Sequence, residues 1–218
     1  MSAEDRQKWD QRYQAADFEV GSPSAVVQRL IQRMLASLVA ENADPAGQAA
    51  AHRHRLKVLD VAAGAGRHSV WLAQQGWDVT ALDISAPGLE LAAARARDAG
   101  VPLNTFCLDL DEAPLPTGPW DLVLTTMFVD RTLPRRAVDV LSDIGCFVYV
   151  QPTQKNLERH AKPPADFLLL EGELPGLIAA AGLELLHYEE GWLEDGRHDA
   201  CCLARRAAKI ATASPRRR

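Results

Sequence analysis

The chain has 218 residues, 47% hydrophobic and 24% charged, a formal net charge of −5 and four cysteines. That length suits one good-sized domain, or one domain with an extra arm, and the composition is ordinary for a soluble globular protein. The acidic balance gives no general electrostatic reason to hold nucleic acid. No apolar stretch approaches membrane-spanning length, and the polar start "MSAEDRQKWDQRY" lacks the apolar core of a signal peptide. A cytoplasmic protein with neither a nucleic-acid nor a membrane partner is therefore expected. Cys107, Cys146, Cys201 and Cys202 fall in apolar segments without C-x-x-C spacing, which predicts buried free thiols and no metal site.

From Glu4 to Ala15 the chain reads as a short helix with Trp9 and Tyr13, four apart, on one face. Ser22-Pro23 starts a second helix, with apolar residues at Val26, Val27, Leu30, Ile31, Met34, Leu35, Leu38 and Val39. "ENADPAGQAAAHRHR" reads as a linker, its His52 and His54 in loop and not on a metal. Residues 1–55 are thus expected to form a helical arm or lid with its linker, 56–206 the main domain, and 207–218, with the terminal "SPRRR", a solvated basic tail.

From Leu56 onward strands and helices alternate. "LKVLDVA", "WDVTALD", "LNTFCLDL", "DLVLTTMF" and "CFVYVQ" read as strands; helices follow the first two, and a third runs through "RRAVDVLSDIG". After a longer loop, Pro152 to Asp166, come a helix "EGELPGLIAAAG" and two closing strands, "LELLHYEEGW" and "DACCLARR". Strands apolar on both faces and separated by helices predict a doubly wound α/β fold. Its seven-stranded sheet is mostly parallel, with the last strand antiparallel because a tight polar turn precedes it.

In such a sheet ligands bind where strands end, beside the point at which strand order reverses. The first strand, the turn Gly64-Ala65-Gly66 and the next helix make that point. A dinucleotide fingerprint needs a third glycine, which is absent from Gly66-Arg67-His68-Ser69, and Asp60 just before the turn would repel a pyrophosphate. A cofactor with an amino group and a sulfonium centre suits Asp60 better. Asp83 closes the second strand where an acid bonds ribose hydroxyls, and Asp109 ends the third where it can accept from a purine amine. Ile84 and Leu110, next in sequence to those two acids, are assigned to the same site. An acid at the end of each of three successive strands, beside a glycine turn, describes a site for S-adenosylmethionine.

The chain resembles the class I S-adenosylmethionine-dependent methyltransferases, and within them the small tellurite-resistance-type enzymes. The likeness runs from "KWDQRY" to "LARR" and is carried by "VLDVAAGAGRHSVWLAQQGWDVTALDIS", "DLDEAPLP" and "NLERHAKPPADFLLLEGEL". It implies cofactor contacts at Asp60, Gly64, Gly66, Asp83 and Asp109, a His68 that shapes the turn, an Arg67 at the methionine end, and S-adenosylhomocysteine as product. The chain departs from the pattern at Ala62, where a glycine is usual, at "DIG" in place of Pro-Gly-Gly, and at "QPT" after the fifth strand.

The motifs for base, amide, ribose or catechol acceptors are missing, which leaves a small acceptor, anionic or soft. Arg131, Arg197 and His198 are the candidate catalytic residues, and Trp9, Tyr13, Arg159 and His160 the candidate acceptor contacts. Two alternatives stand beside a small-molecule methyltransferase that works as a monomer or homodimer. One is a non-catalytic S-adenosylmethionine-binding regulator or partner subunit. The other is an NAD-dependent oxidoreductase, which the missing glycine and Asp60 disfavour.

Overall fold

The computed structural model describes residues 3–41 and 55–207. The linker histidines His52 and His54 and the tail from residue 208 lie outside them. Seven strands form one sheet: β1 (Lys57–Val61), β2 (Asp78–Asp83), β3 (Asn104–Cys107), β4 (Trp120–Thr126), β5 (Leu141–Pro152), β6 (Leu183–Trp192) and β7 (His198–Arg206). Their order is β3-β2-β1-β4-β5-β7-β6, and only β7 runs against the others. Strand order reverses between β1 and β4, so the crevice lies above their C-terminal ends.

Among the described residues the α-helices are α1 (Ala3–Gln14), α2 (Ala25–Glu41), α3 (Arg67–Gln74), α4 (Ala86–Asp98), α5 (Leu133–Val140) and α6 (Glu173–Ala180). On one side of the sheet Val26, Val27, Leu30, Ile31 and Met34 of α2 and Leu72 of α3 pack on Val58, Leu122, Leu124, Val148 and Leu203. On the other, Leu133 and Ala137 of α5 and Leu174 and Ile178 of α6 pack on Leu59, Val123, Phe147 and Tyr149. The second helix read from the sequence is therefore part of the core, whereas no residue of α1 belongs to either packed cluster.

Strand alternation decides which side chains can meet. Asp60 shares a face with Val58, toward α3. On β7, Cys201 and Leu203 face α2 and α3, so Asp199 does too, while His198 falls on the opposite face with Ala200 and Cys202.

Two expectations are corrected. The helix through "RRAVDVLSDIG" ends at Val140, because Leu141 is extended and pairs with Trp120 at the start of β5. Gly145 sits beside the irregularity in that pairing, where a Cβ would lie 2.7 Å from the Trp120 carbonyl oxygen. Three cysteines are buried free thiols, but Cys107 is exposed, because β3 is an edge strand with all four residues exposed. Among the described residues no helix is long and apolar enough to cross a membrane.

Candidate active site

Between β1 and α3 the backbone turns through left-handed residues at Ala62 (φ 56°), Gly64 (φ 54°) and Gly66 (φ 73°). Glycine adopts such angles freely, whereas an alanine there is strained. Gly66 serves packing. A Cβ on it would lie 2.7 Å from the Ala92 Cβ, so its missing side chain lets α3 approach α4, and it does not line the cavity described below. Gly66 thus fills the helix-packing role for which a third glycine was sought. Gly64 faces the open side, and a Cβ there would collide with the Tyr13 hydroxyl.

The acids at the strand ends are held in different ways. Asp60 is buried and accepts from Ser69 Oγ at 2.5 Å. Burial pushes its pKa up to about 7, against the opposing effects of the Ser69 bond and the Arg67 charge. Asp83 accepts from Gly64 N at 2.7 Å and Ser85 N at 2.9 Å, so it ties the glycine turn to the start of α4. Burial raises its pKa, and those backbone bonds oppose the rise. Asp109 accepts from Asp111 N at 3.0 Å and lies 3.8 Å from Arg6 of α1. Neither it nor Leu110, which is in the core, lines the cavity; Ile84 does.

The cavity has a volume of about 410 Å³. Asp60, the turn 62–65, Asp83 and Ile84 form its floor, and Trp9, Tyr13 and Phe18 cover it. Tyr13 stacks on Trp9 at 5.9 Å, meets Phe18 edge-on at 5.0 Å, and rests on Gly88, where a Cβ would lie 2.9 Å from its ring. Ser85 Oγ donates to Asp10 at 2.6 Å and so fastens α1 to the start of α4. Arg67, His68, Thr126, Met127, Phe128 and Arg197 line it as well. His68 Nε2 accepts from Ser24 N at 3.2 Å; burial, and then Arg67, push its pKa down to about 3, so the ring is neutral.

Of the residues expected to meet the acceptor from the loops after β4, β5 and β6, only Arg197 reaches this cavity. Arg131 is bound to Glu173 at 2.5 and 3.0 Å and to the Leu168 carbonyl at 3.2 Å. His198 is buried on the opposite face of the sheet, 2.8 Å from Thr153 Oγ1 and edge-on to Trp192. Arg159 stacks over Trp192 at 3.6 Å, and His160 lies 3.0 Å from the Gly196 carbonyl oxygen. His198 also stands near Glu171 and Glu190, with ligand atoms within 4.8 Å, but Lys155 pairs with Glu171, and Glu190 accepts from Tyr188 and Gly172. Sequence reading missed Met127 and Phe128 as cavity residues, although both directly follow a strand end at the switch point. Met127 adopts a left-handed φ of 59° and is exposed.

Residues 58–146 match a family model described as a methyltransferase domain. The ubiquinone biosynthesis O-methyltransferase of Rickettsia akari is 26% identical over 148 residues, which cover 68% of this chain and 53% of that protein. The chain thus spans about half the length of the curated relative it matches. TehB from Haemophilus influenzae superposes with a TM-score of 0.60 at 20% identity, over 92% of this chain and 66% of that one. The magnesium protoporphyrin IX methyltransferase of Synechocystis, solved with S-adenosylhomocysteine bound, gives 0.58 at 17% identity over 94% and 95%.

The fold and the domain match over residues 58–146 support a class I S-adenosylmethionine-dependent methyltransferase domain, with TehB among its structural neighbours. The residues present fit that cofactor. Asp60 offers a buried carboxylate toward a cationic group, and Asp83 keeps lone pairs beyond the two that its backbone bonds use.

Proposed function

We propose that the protein methylates a small acceptor that carries or develops negative charge, a thiolate or an oxyanion. One observation carries this reading: two guanidinium groups, Arg67 and Arg197, both line the cavity, close enough to feel each other's charge, with donors to spare. The Arg67 guanidinium makes no hydrogen bond among the described residues; burial, and then the Arg197 charge, lower its pKa. Arg197 Nε is buried without a partner. Two like charges held close in a half-buried site favour an anion between them.

Bound S-adenosylmethionine supplies a methyl group already activated by its sulfonium, which leaves alignment and exclusion of water to the protein. Asp60 would hold the cationic part of the methionine and Asp83 the ribose, while α1, with Trp9 and Tyr13, acts as the lid. The one histidine among the lining residues is neutral, with Nε2 engaged by Ser24. A soft or already ionised acceptor needs no base, in keeping with that wall.

A second reading is O-methylation of a phenol with an apolar body. Trp9, Phe18, Val20, Met127 and Phe128 on the cavity wall favour it.

Calorimetry followed by a product screen tests both. S-adenosylhomocysteine is expected to bind with a Kd in the low micromolar range, about −8 kcal/mol, and thiols or oxyanions to be methylated in the screen. Turnover with phenols alone selects the second reading. Binding of NADH without S-adenosylhomocysteine would overturn both.

A further inference from the structure

Asp199 is fully buried on the face of the sheet that carries the cofactor helices, beneath the rim where Arg197 stands. Its Oδ2 lies 3.4 Å from Arg197 Nη2, and its Oδ1 has no partner. Its cross-strand neighbours are Pro152 on β5 and Gly191 on β6, and neither has a side-chain donor. Within its own layer of the sheet, Asp199 is left with one long ion pair.

A buried carboxylate so poorly satisfied costs stability. The other strand-end acids are better served: Asp60 accepts from Ser69, and Asp83 from two backbone amides. Nor does Arg197 need Asp199 for its charge, because Asp195 pairs with the same nitrogen at 2.7 Å. Asp195 is half-exposed and Asp199 fully buried, so the pair grips Nη2 from the solvent side and from within. That grip leaves Nε without a partner among the described residues. A side chain with so many rotamers is thereby confined to one orientation.

We propose that Asp199 is a positioning residue that holds the Arg197 guanidinium toward the cavity for an anion, at a cost to the stability of the fold. The proposal rests on the anionic-acceptor reading above.

Its test needs no identified acceptor. The full chain is saturated with S-adenosylhomocysteine and titrated with sulfite and with selenite by calorimetry, and thermal melts are recorded without ligand. Wild type is compared with Asp199→Asn, which keeps the shape and removes the charge, and with Arg197→Ala. Asp199→Asn is expected to weaken oxyanion binding about tenfold and to leave S-adenosylhomocysteine affinity within about twofold of wild type, while raising Tm by about 2–4 °C. Arg197→Ala is expected to abolish oxyanion binding. A structural ion pair predicts the reverse in the melts, so a lower Tm for Asp199→Asn overturns the proposal. Oxyanion binding in Asp199→Asn equal to wild type overturns it as well, and leaves the anionic-acceptor reading in place. If wild type binds neither oxyanion, both fall together.

Discussion

The two sides of the cavity are built from different kinds of residue. On the β1–β2 side the groups set by the strands themselves are short: Asp60, Asp83 and the turn between Ala62 and Gly66, each one bond or two from backbone held in the sheet, with Arg67 carried on α3 behind them. On the β4–β5–β7 side they are long cations on loops, and only one of those expected there, Arg197, reaches the cavity. A short carboxylate at a strand end goes where the strand puts it. A long arginine goes wherever its best partner lies, and for Arg131 that partner is Glu173, 42 residues away in sequence.

The largest effect should come from the first side. Asp83→Asn leaves one oxygen to serve two backbone amides and a ribose, so S-adenosylhomocysteine affinity is expected to fall between about tenfold and a hundredfold, from 1.5–3 kcal/mol of charge-assisted bonding. Some stability is lost with it, because the Gly64 and Ser85 amides compete for the remaining acceptor. Calorimetry and denaturant titration separate the two effects. Unchanged affinity with lowered stability would make Asp83 a turn residue only.

On the second side the contrast lies between two arginines. Arg197→Ala is expected to raise the acceptor KM or lower kcat by well over about tenfold while S-adenosylhomocysteine affinity holds. Arg131→Ala removes a partly exposed ion pair, so it should cost no more than about 1 kcal/mol of stability and leave kinetics alone. Equal kinetic losses in both variants would erase the distinction between the loops.

What could be read from the sequence follows the same division. The acids Asp60 and Asp83, the glycine turn and the order of elements were legible because hydrophobic period and chain path place them. His198 was misplaced because a one-residue difference in a strand sends a side chain to the opposite face, and the phase of β7 is set by its pairing with β5 and β6. The role of Gly66 was hidden because it depends on Ala92, in the next helix. The start of β5 was hidden because "LSDIG" continues a helical pattern until Leu141 meets Trp120. In each case a contact remote in sequence decides, which local spacing does not reveal.

Asp60 gives a pH test of the first side. Burial lifts its folded-state pKa to about 7, above an ordinary carboxyl. The native protein therefore holds a proton that the unfolded chain has lost, from near pH 4 up to about 7. Stability is expected to fall as pH rises through that window. Affinity for the cationic S-adenosylmethionine should rise through the same window, because the ionised carboxylate is the form that attracts it. Asp60→Asn should flatten both trends, and trends that survive in this variant would assign the proton elsewhere.

The smallest effect compares the strain on the two sides. Ala62 and Met127 both occupy left-handed backbone, at φ 56° and 59°, and both line the cavity. Relief of such a conformation is worth about 1–2 kcal/mol, and the added freedom of glycine in the unfolded chain returns about 0.5–1 kcal/mol of that. Ala62→Gly should thus raise stability by about 0.5 kcal/mol with cofactor affinity unchanged, since only a methyl group is lost from a turn otherwise held by Asp83. Met127→Gly relieves the same backbone but also removes a long thioether from the acceptor side of the wall. If the strain there serves to aim that side chain, Met127→Gly gains stability and loses kcat/KM. Melting curves and steady-state kinetics on the pair decide the matter. A gain in stability without kinetic loss in both variants would show that the two strained residues do not differ in function.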